Sequence, residues 1–249
     1  MAKHKLGLLI PSTNTVAEPE YYATVPASVS VHTGRMLVKD AKIGSDSAYL
    51  SLHEQMLEAL EPTGQNLGTC EPDHVSFAMA ASSFVGGVEG DAAVRERVEA
   101  AVGAPTTSAP AAFSAALELL GVTRIAMLSP FQPVIEAEVV RYFEDTEVDV
   151  VTSHSFRPSR TTAIAEVGER AVRDALASCT DPAIEAVLQL GTNLRMATEA
   201  RAAEWWLGKP VLHANTVMAW HAMRAMDCTD WGAGMIPSLA EHTNKEGAQ

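Results

Sequence analysis

Short apolar runs alternate with amphipathic stretches along this chain, and this alternation limits the folds open to it. Seven runs are typical of β-strands: Leu6 to Ile10, Val29 to Val38, His74 to Met79, Ile125 to Leu128, Val148 to Thr152, Ala186 to Leu190 and Val211 to His213. Single helices between such strands form βαβ crossovers, which bring the strands into parallel register. The sequence therefore predicts an α/β fold whose parallel sheets are covered on both faces.

The intervening stretches place apolar residues three or four positions apart, which predicts helices with one buried face each. The predicted faces are Tyr49-Leu52-Met56-Leu60, Val94-Val98-Ala101, Ile135-Val139-Phe143 and Ile164-Val167-Ala171.

The strand and helix pattern also runs twice. Gly103 to Ser108 resembles Gly208 to His213, each before an Ala-containing helix, and Asp73 to Ala78 parallels Glu185 to Leu190. We therefore expect two similar halves that pack across a cleft lined by the carboxyl ends of their strands, where open α/β sheets bind ligands. The predicted halves are residues 1–107 with 216–249, and residues 108–215.

Composition narrows the choice of partners. The 249 residues carry 31 acidic and 18 basic side chains, a formal charge of −13, which disfavours nucleic acid and anionic membranes. No run is long and apolar enough to span a bilayer, so we expect a cytoplasmic protein. The three cysteines, Cys70, Cys179 and Cys228, form no CxxC pair, which argues against a disulfide framework or a thiolate zinc site.

Four loops follow predicted strands and open probable helices: Pro11 to Thr15, Ala80 to Gly87, Ser129 to Gln132 and Gly191 to Arg195. Such loops direct backbone N–H groups and a positive helix end towards an anion. A small carboxylate is therefore the expected ligand. The simpler interpretation is that their Ser, Thr and Asn residues only cap helices.

Five segments carry a resemblance to a known family. They are GLLIPSTNTVAEPE (7–20), VSFAMAASSFVGG (75–87), APTTSAPAAFSAALELLGVTRIAMLSPF (104–131), LGTNLRMATEA (190–200) and GKPVLHANTVMAW (208–220). Together they resemble the maleate isomerase and arylmalonate decarboxylase branch of the aspartate/glutamate racemase superfamily. The resemblance implies two Rossmann-like halves with pseudo-twofold symmetry around a small dicarboxylate, with no metal and no organic cofactor.

The same resemblance implies a substrate-binding set, which comprises Ser12, Asn14, Ala80, Ala81, Ser82, Ser83, Phe131, Thr161, Gly191, Thr192 and Asn193. Two members depart from the maleate isomerase pattern. Phe131 stands where those enzymes carry a tyrosine, and Thr161 stands near a family asparagine. Both changes remove a hydrogen-bonding group suited to a second carboxylate.

The larger departure concerns the reactive cysteines of the family. Racemases use one thiol in each half, isomerases use one as nucleophile, and the decarboxylase uses a single thiol as proton donor. The two positions are occupied here by Met79 and Gly191, neither of which moves a proton. The cysteines that are present are expected to be packing or surface residues.

Other groups are candidates to replace the thiols. His213 ends the last strand, so we expect it to approach the cleft as an acid or base, or else to be a buried or capping histidine. Ser82, with Ser83, is a candidate hydroxyl nucleophile, although no GxSxG elbow surrounds it. His154 is a weaker candidate. The best cations for an anionic substrate are Arg157, Arg160 and Arg195, whose commoner role is surface ion pairing.

We therefore expect a cofactor-independent enzyme that performs a lyase, isomerase or hydrolase step on a small carboxylic acid without the cysteine mechanism. The alternatives are a non-catalytic protein that binds small carboxylates and a serine- or histidine-assisted hydrolase; true racemase activity ranks lowest. Formation of a homo-oligomer is a further alternative, because adjacent Trp205 and Trp206 cannot both face one narrow core stripe. One of them is expected at a subunit interface or beneath the C-terminal segment.

Overall fold

The computed structural model describes residues 3–228 and 230–246. In these residues the strands are β1 (His4–Pro11), β2 (Val29–Met36), β3 (His74–Phe77), β4 (Thr106–Thr107), β5 (Arg124–Ser129), β6 (Asp149–Ser155), β7 (Ala186–Gln189) and β8 (Val211–His213). The α-helices are α1 (Ala17–Thr24), α2 (Asp46–Gly68), α3 (Ala80–Phe84), α4 (Gly87–Val102), α5 (Ala109–Leu120), α6 (Pro133–Asp145), α7 (Glu169–Ala177), α8 (Ala197–Leu207), α9 (Ala214–Ala225) and α10 (Pro237–Glu246), with a 3₁₀ turn at Thr162–Ile164.

The eight strands form two parallel sheets with the same internal order. The first sheet runs β2-β1-β3-β4 and the second runs β6-β5-β7-β8. In the first, Leu6 of β1 pairs with Val31 and with His74 of the flanking strands, and in the second Ile125 pairs with Val150 and Ala186. The α/β class and the two repeated halves are therefore confirmed. The two-residue strand β4 is too short for a sequence pattern to reveal.

Local sequence explains where many helices begin and end. Helix α5, for example, begins at Ser108, whose hydroxyl accepts a hydrogen bond from the N–H of Ala111, and Pro110 occupies its first turn. The helix ends at Gly121, whose φ of 64° is a left-handed conformation that glycine adopts without steric cost.

Three of the four predicted helical faces are correct in position. Tyr49, Leu52, Met56 and Leu60 are buried along α2, and the expected residues of α6 are also buried. The face Ile164-Val167-Ala171 is wrong, because Gly168 has an extended backbone and separates the 3₁₀ turn from α7. Helix α7 instead buries Val172, Ala175 and Leu176, and Ala171 is exposed.

The elements after β8 return to the first half. Helix α9 packs against β3 and β4 of the first sheet and against α1 and α5. The exact boundaries between the halves, placed at residues 107 and 215 from the sequence, stay a prediction. Among the described residues, no helix combines the length and the apolar character needed to cross a bilayer.

Candidate functional site

A narrow cleft of about 430 Å³ lies where the two sheets face each other. All four of the loops singled out from the sequence contribute to it. The lining comprises Pro11, Thr13, Asn14, Tyr49, Leu52, Met79, Ala80, Ala81, Pro130, Phe131, Thr161, Ile164, Gly191, Thr192 and Asn193. The carboxyl ends of β1 and β3 lead into it from the first half, and those of β5 and β7 lead into it from the second.

Side-chain hydrogen bonds across the two halves form one side of this cleft, which we call the polar floor (Asn14, Thr192 and Asn193). The Asn14 amide donates to Thr192 Oγ1 at 3.3 Å, and Thr192 Oγ1 donates to the Ala78 carbonyl at 2.9 Å. Asn193 accepts from the Thr15 N–H at 2.9 Å and donates to the Thr161 carbonyl at 3.0 Å. The floor is therefore held by both halves at once.

Several donors at the cleft have no protein partner within the described part of the chain. The N–H groups of Ala80 and Ala81 open α3, and those of Thr192 and Asn193 lie in the loop after β7. The hydroxyls of Thr13 and Thr161 are also buried without a partner. Buried polar groups normally find a hydrogen bond, so these donors are available to acceptor atoms of water or of a ligand in the cleft.

The apolar side chains of the lining, which we call the apolar wall, are Leu52, Met79, Phe131 and Ile164 together with the ring of Tyr49. Tyr49 meets Phe131 edge to face at 6.3 Å between ring centroids, so α2 of the first half closes over the second half. Of the described side chains that line the cleft, Tyr49 alone is ionisable. Burial raises its pKa, so its phenol stays protonated across the physiological range.

Most of the predicted substrate-binding residues lie in the cleft. Asn14, Ala80, Ala81, Phe131, Thr161, Gly191, Thr192 and Asn193 line it. The remaining ones do not. The Ser12 hydroxyl instead accepts from the Val38 N–H, Ser83 donates to the Met79 carbonyl, and Ser82 is buried with an unpartnered hydroxyl.

His213 lies outside the cleft lining, in a buried cluster behind the polar floor. Its Nε2 lies 2.7 Å from Thr216 Oγ1, and its Nδ1 is 3.8 Å from Glu20 Oε2. Burial lowers the pKa of His213 to about 3, so the ring is neutral at pH 7 and does not form an ion pair with Glu20. Neither ring nitrogen hydrogen-bonds to Ser82. Catalysis by His213 or Ser82 therefore stays a prediction without support from this geometry.

Glu20 is the unexpected member of the buried cluster. Its side chain is 12% exposed, and its Oε2 accepts a hydrogen bond of 2.6 Å from Asn215. Desolvation raises the pKa of Glu20 to about 7, against the lowering effects of Asn215, of backbone N–H groups at the start of α8 and of Arg195. The same Asn215 amide donates to the Thr192 carbonyl at 2.9 Å, so the cluster adjoins the polar floor.

Met79 and Gly191, where the resemblance places the reactive cysteines, supply no thiol. Met79 contributes its side chain to the apolar wall. At Gly191, a Cβ atom would lie 2.6 Å from two ring carbons of Pro130, so no side chain fits without movement of the backbone. Cys70, Cys179 and Cys228 are free thiols, and none of them lines the cleft.

The cations proposed for an anionic substrate also lie elsewhere. Arg157 pairs with Glu136 at 3.0 Å, and Arg160 pairs with Glu166 at 3.1 Å. Arg195 lines a separate pocket beside Glu20. His154 packs on the ring of Phe156. Among the described residues, the cleft therefore offers a ligand neutral donors and no positively charged side chain.

Sequence reasoning missed three groups of the cleft. The spacing of Tyr49 and Leu52 predicts only the core face of a helix. Both residues lie on that face and also line the cleft. Ile164 follows a loop that is positioned by hydrogen bonds from the Thr161 N–H to the Ala41 carbonyl and from the Ile43 N–H to the Ser159 carbonyl. Nothing in the sequence pattern reveals this pairing of two irregular segments. Thr13 lies within a predicted loop and could have been included.

The structure has two repeated halves, each built on a parallel sheet, and a small neutral cleft between their strand ends. This arrangement is typical of α/β proteins that enclose small ligands. The family model described as arylmalonate decarboxylase matches residues 16–236. The chain therefore belongs to the arylmalonate decarboxylase family, and the resemblance identified from the sequence is confirmed.

Individual relatives agree with this assignment. The maleate isomerase of Nocardia farcinica (strain IFM 10152) is 24% identical over 244 residues, which cover 91% of this chain and 92% of the relative. Among solved structures, a Nocardia farcinica maleate cis-trans isomerase variant with a covalently bound succinylcysteine intermediate has a TM-score of 0.85 at 20% identity, covering 96% of this chain and 98% of that one. An arylmalonate decarboxylase has a TM-score of 0.68 at 18% identity, with 88% and 91% covered. These structures establish the shared fold.

Proposed function

We propose that this protein is a cofactor-independent lyase that decarboxylates a small malonate-type acid bearing one apolar substituent. The observation that carries the proposal is that one cleft contains both the polar floor and the apolar wall, with Tyr49 of the wall as the ionisable side chain of the described lining. Relatives include proteins named maleate isomerase and arylmalonate decarboxylase, which supports isomerase or lyase chemistry on small acids.

The polar floor and the unpartnered donors around it suit one carboxylate and the negative charge that develops on it during the reaction. The unpartnered N–H groups of Ala80, Ala81, Thr192 and Asn193 and the Thr13 hydroxyl would donate to its oxygens. Fixed donors of this kind stabilise a charge that develops in the transition state, and their effect is greatest where water is excluded. The absence of a cation from the described lining is consistent with an anion held by neutral dipoles.

The wall suits an apolar substituent, not a second ion. Phe131 and Ile164 offer no hydrogen bond on this side, and Thr161 offers a single hydroxyl. Desolvating a carboxylate against such a surface would cost several kcal/mol. Such a surface accepts an alkyl or aryl group, so maleate, with its two carboxylates, is a poor fit.

Tyr49 decides between the reaction classes. Loss of CO₂ breaks a C–C bond and leaves its electron pair delocalised into the remaining carboxylate as an enediolate. The Tyr49 phenol would then give its proton to the α-carbon and be reprotonated by water. The raised pKa makes the phenol a weak acid, but it also keeps the proton on Tyr49 at neutral pH. Tyr49 is therefore present as a proton donor to the strongly basic α-carbon and not as the ionised base that α-proton abstraction by a racemase requires. Addition to a double bond, as in the cysteine mechanism, requires a nucleophile that Met79 and Gly191 do not supply.

The test is a panel of malonates with alkyl and aryl substituents, assayed by CO₂ release and by calorimetric binding, with maleate, maleamate and a simple amide as comparisons. We expect turnover of at least one substituted malonate, and a loss of at least tenfold in kcat for Tyr49→Phe with binding retained. The matched variant Tyr22→Phe, at an exposed tyrosine, should be unaffected.

Saturable binding of these acids without turnover would overturn the lyase proposal in favour of a non-catalytic carboxylate-binding protein. That second function is supported by the lack of an ionised side chain in the described lining of the cleft. Amide hydrolysis would restore the hydrolase alternative. Full activity in Tyr49→Phe would remove Tyr49 from the mechanism.

A further inference from the structure

Helix α8 exposes two large aromatic rings on one surface. Trp205 is 92% exposed and Trp206 is 52% exposed, although Ser238 at the start of α10 donates a hydrogen bond to Glu204 nearby. The expectation that the C-terminal segment buries one of them is therefore wrong for the described residues. Together with exposed Thr198, Arg201 and Ala202, they form what we call the α8 face.

The α8 face combines a protrusion with recesses. A groove of about 640 Å³ is lined by Thr198, Arg201, Ala202, Trp205 and Pro237. A second groove of about 760 Å³ lies on the Trp206 side, against residues of α7. A protruding ring and a matching recess on the same patch are what a two-fold, self-complementary interface requires, because each copy must supply both.

Charge restricts which faces of this protein can meet a second copy. The net charge of −13 makes most pairs of faces repel, whereas the five residues of the α8 face include one cation and no carboxylate. Asp174 borders the groove on the Trp206 side, where it lies 3.8 Å from Arg170. Both glutamates of this part of the helix turn away: Glu199 is buried and 3.5 Å from Arg173, and Glu204 accepts from the Ser238 hydroxyl. Arg201 makes no ion pair with any described residue, which leaves its guanidinium for a tryptophan ring of another copy.

We propose that the protein forms a two-fold symmetric dimer in which α8 packs antiparallel to its counterpart, with the axis close to Ala202. The small side chain of Ala202 allows close approach of the helices. Trp205 lies about 4.5 Å further along the helix at 1.5 Å per residue, so an antiparallel copy of it reaches the Thr198 and Arg201 recess. Each tryptophan thus fills a groove and lies against an arginine.

The area available fits a reversible dimer. A tryptophan side chain buries about 150–250 Å², so the four partly exposed rings would supply about 400–700 Å² of the ~1,600 Å² of a standard interface. The surrounding helix and groove residues must supply the rest. An interface in the lower part of this size range is typical of a reversible dimer and not of a permanent assembly.

Sedimentation velocity over roughly a hundredfold range of concentration tests the proposal. The full chain should move from 26.5 kDa to twice that mass as concentration rises. Trp205→Ala and Ala202→Glu should remain monomeric across the range, the second because it places two carboxylates together at the axis. Tyr22→Ala, which removes an exposed aromatic ring from another surface, should dimerise as the parent does.

Because these side chains are exposed, the variants should keep the parent's circular dichroism and unfolding midpoint, which separates loss of association from loss of fold. A parent chain that stays monomeric throughout would overturn the proposal. So would a dimer that persists in both Trp205→Ala and Ala202→Glu, or growth beyond two copies, which would indicate a head-to-tail contact. An unchanged Tyr22→Ala dimer with monomeric α8 variants would support it.

Discussion

Replacing Glu20 with glutamine should raise the stability of the protein, relative to the parent, more at alkaline pH than at acidic pH. In the folded chain the pKa of Glu20 is raised to about 7 by burial, whereas the ordinary value in the unfolded chain is 4.5. Between these two pKa values, Glu20 is protonated in the folded chain and ionised in the unfolded chain. The contribution of Glu20 to stability is fully present below pH 4.5 and is lost as the pH rises through 7.

The size of this effect follows from the two pKa values. Each tenfold difference in proton affinity corresponds to 1.36 kcal/mol, so the ionised Glu20 costs about 3 kcal/mol relative to its protonated form. Between pH 5 and pH 8.5, about 2–3 kcal/mol of this change should be visible. Glutamine is neutral at every pH and can still accept the hydrogen bond from Asn215 through its carbonyl oxygen, so the variant should lack this dependence.

Urea unfolding of parent and variant across this pH range measures the difference directly. Buried histidines with lowered pKa values, His74 and His221 at about 4 and His213 at about 3, destabilise both proteins in acid and largely cancel when the two are compared. Glu89→Gln, at an exposed glutamate for which no described ion pair is found, controls for the loss of a surface carboxylate. A difference between Glu20→Gln and the parent that stays constant within about 0.5 kcal/mol would refute the reasoning.

Three further changes have defined outcomes. Gly191→Cys should lower the unfolding free energy by about 1–3 kcal/mol through its clash with Pro130, and product analysis should detect no fumarate formed from maleate. Lys209→Met should cost about 1–3 kcal/mol in urea unfolding, because its ammonium group serves three backbone carbonyls after α7. Asn14→Ala should cost about 1–2 kcal/mol, because the Asn14 side chain accepts hydrogen bonds from the N–H groups of Val16 and Ala17 at the start of α1. It should also weaken calorimetric binding of any acid that the parent binds. Unchanged unfolding free energies for Lys209→Met or Asn14→Ala would contradict these roles.

Much of the architecture was predictable because it depends on regular patterns. Seven of the eight strands and the repeated halves follow from the alternation of apolar runs and amphipathic stretches. The four loops of the cleft follow from the same pattern, since parallel strands deliver their carboxyl ends to one edge. The polar floor could therefore be located from the sequence alone.

The remaining features depend on contacts between distant segments that no periodicity records. Tyr49 lies on a helix whose spacing indicates only a core, and its place in the cleft depends on how α2 meets Phe131. His213 follows a strand as expected, yet Thr216 one turn later holds its ring in the cluster behind the floor. The carboxyl group near it comes from α1, nearly two hundred residues earlier in the chain.

The polar floor is also the joint between the halves. Asn14, Thr192 and Asn193 are fixed by each other and by backbone groups of the opposite half before any ligand arrives. Binding then requires little ordering of side chains, and a larger share of the interaction energy remains as affinity. The same arrangement limits how the site can change. A substitution in the polar floor that alters ligand recognition also removes hydrogen bonds that join the two halves.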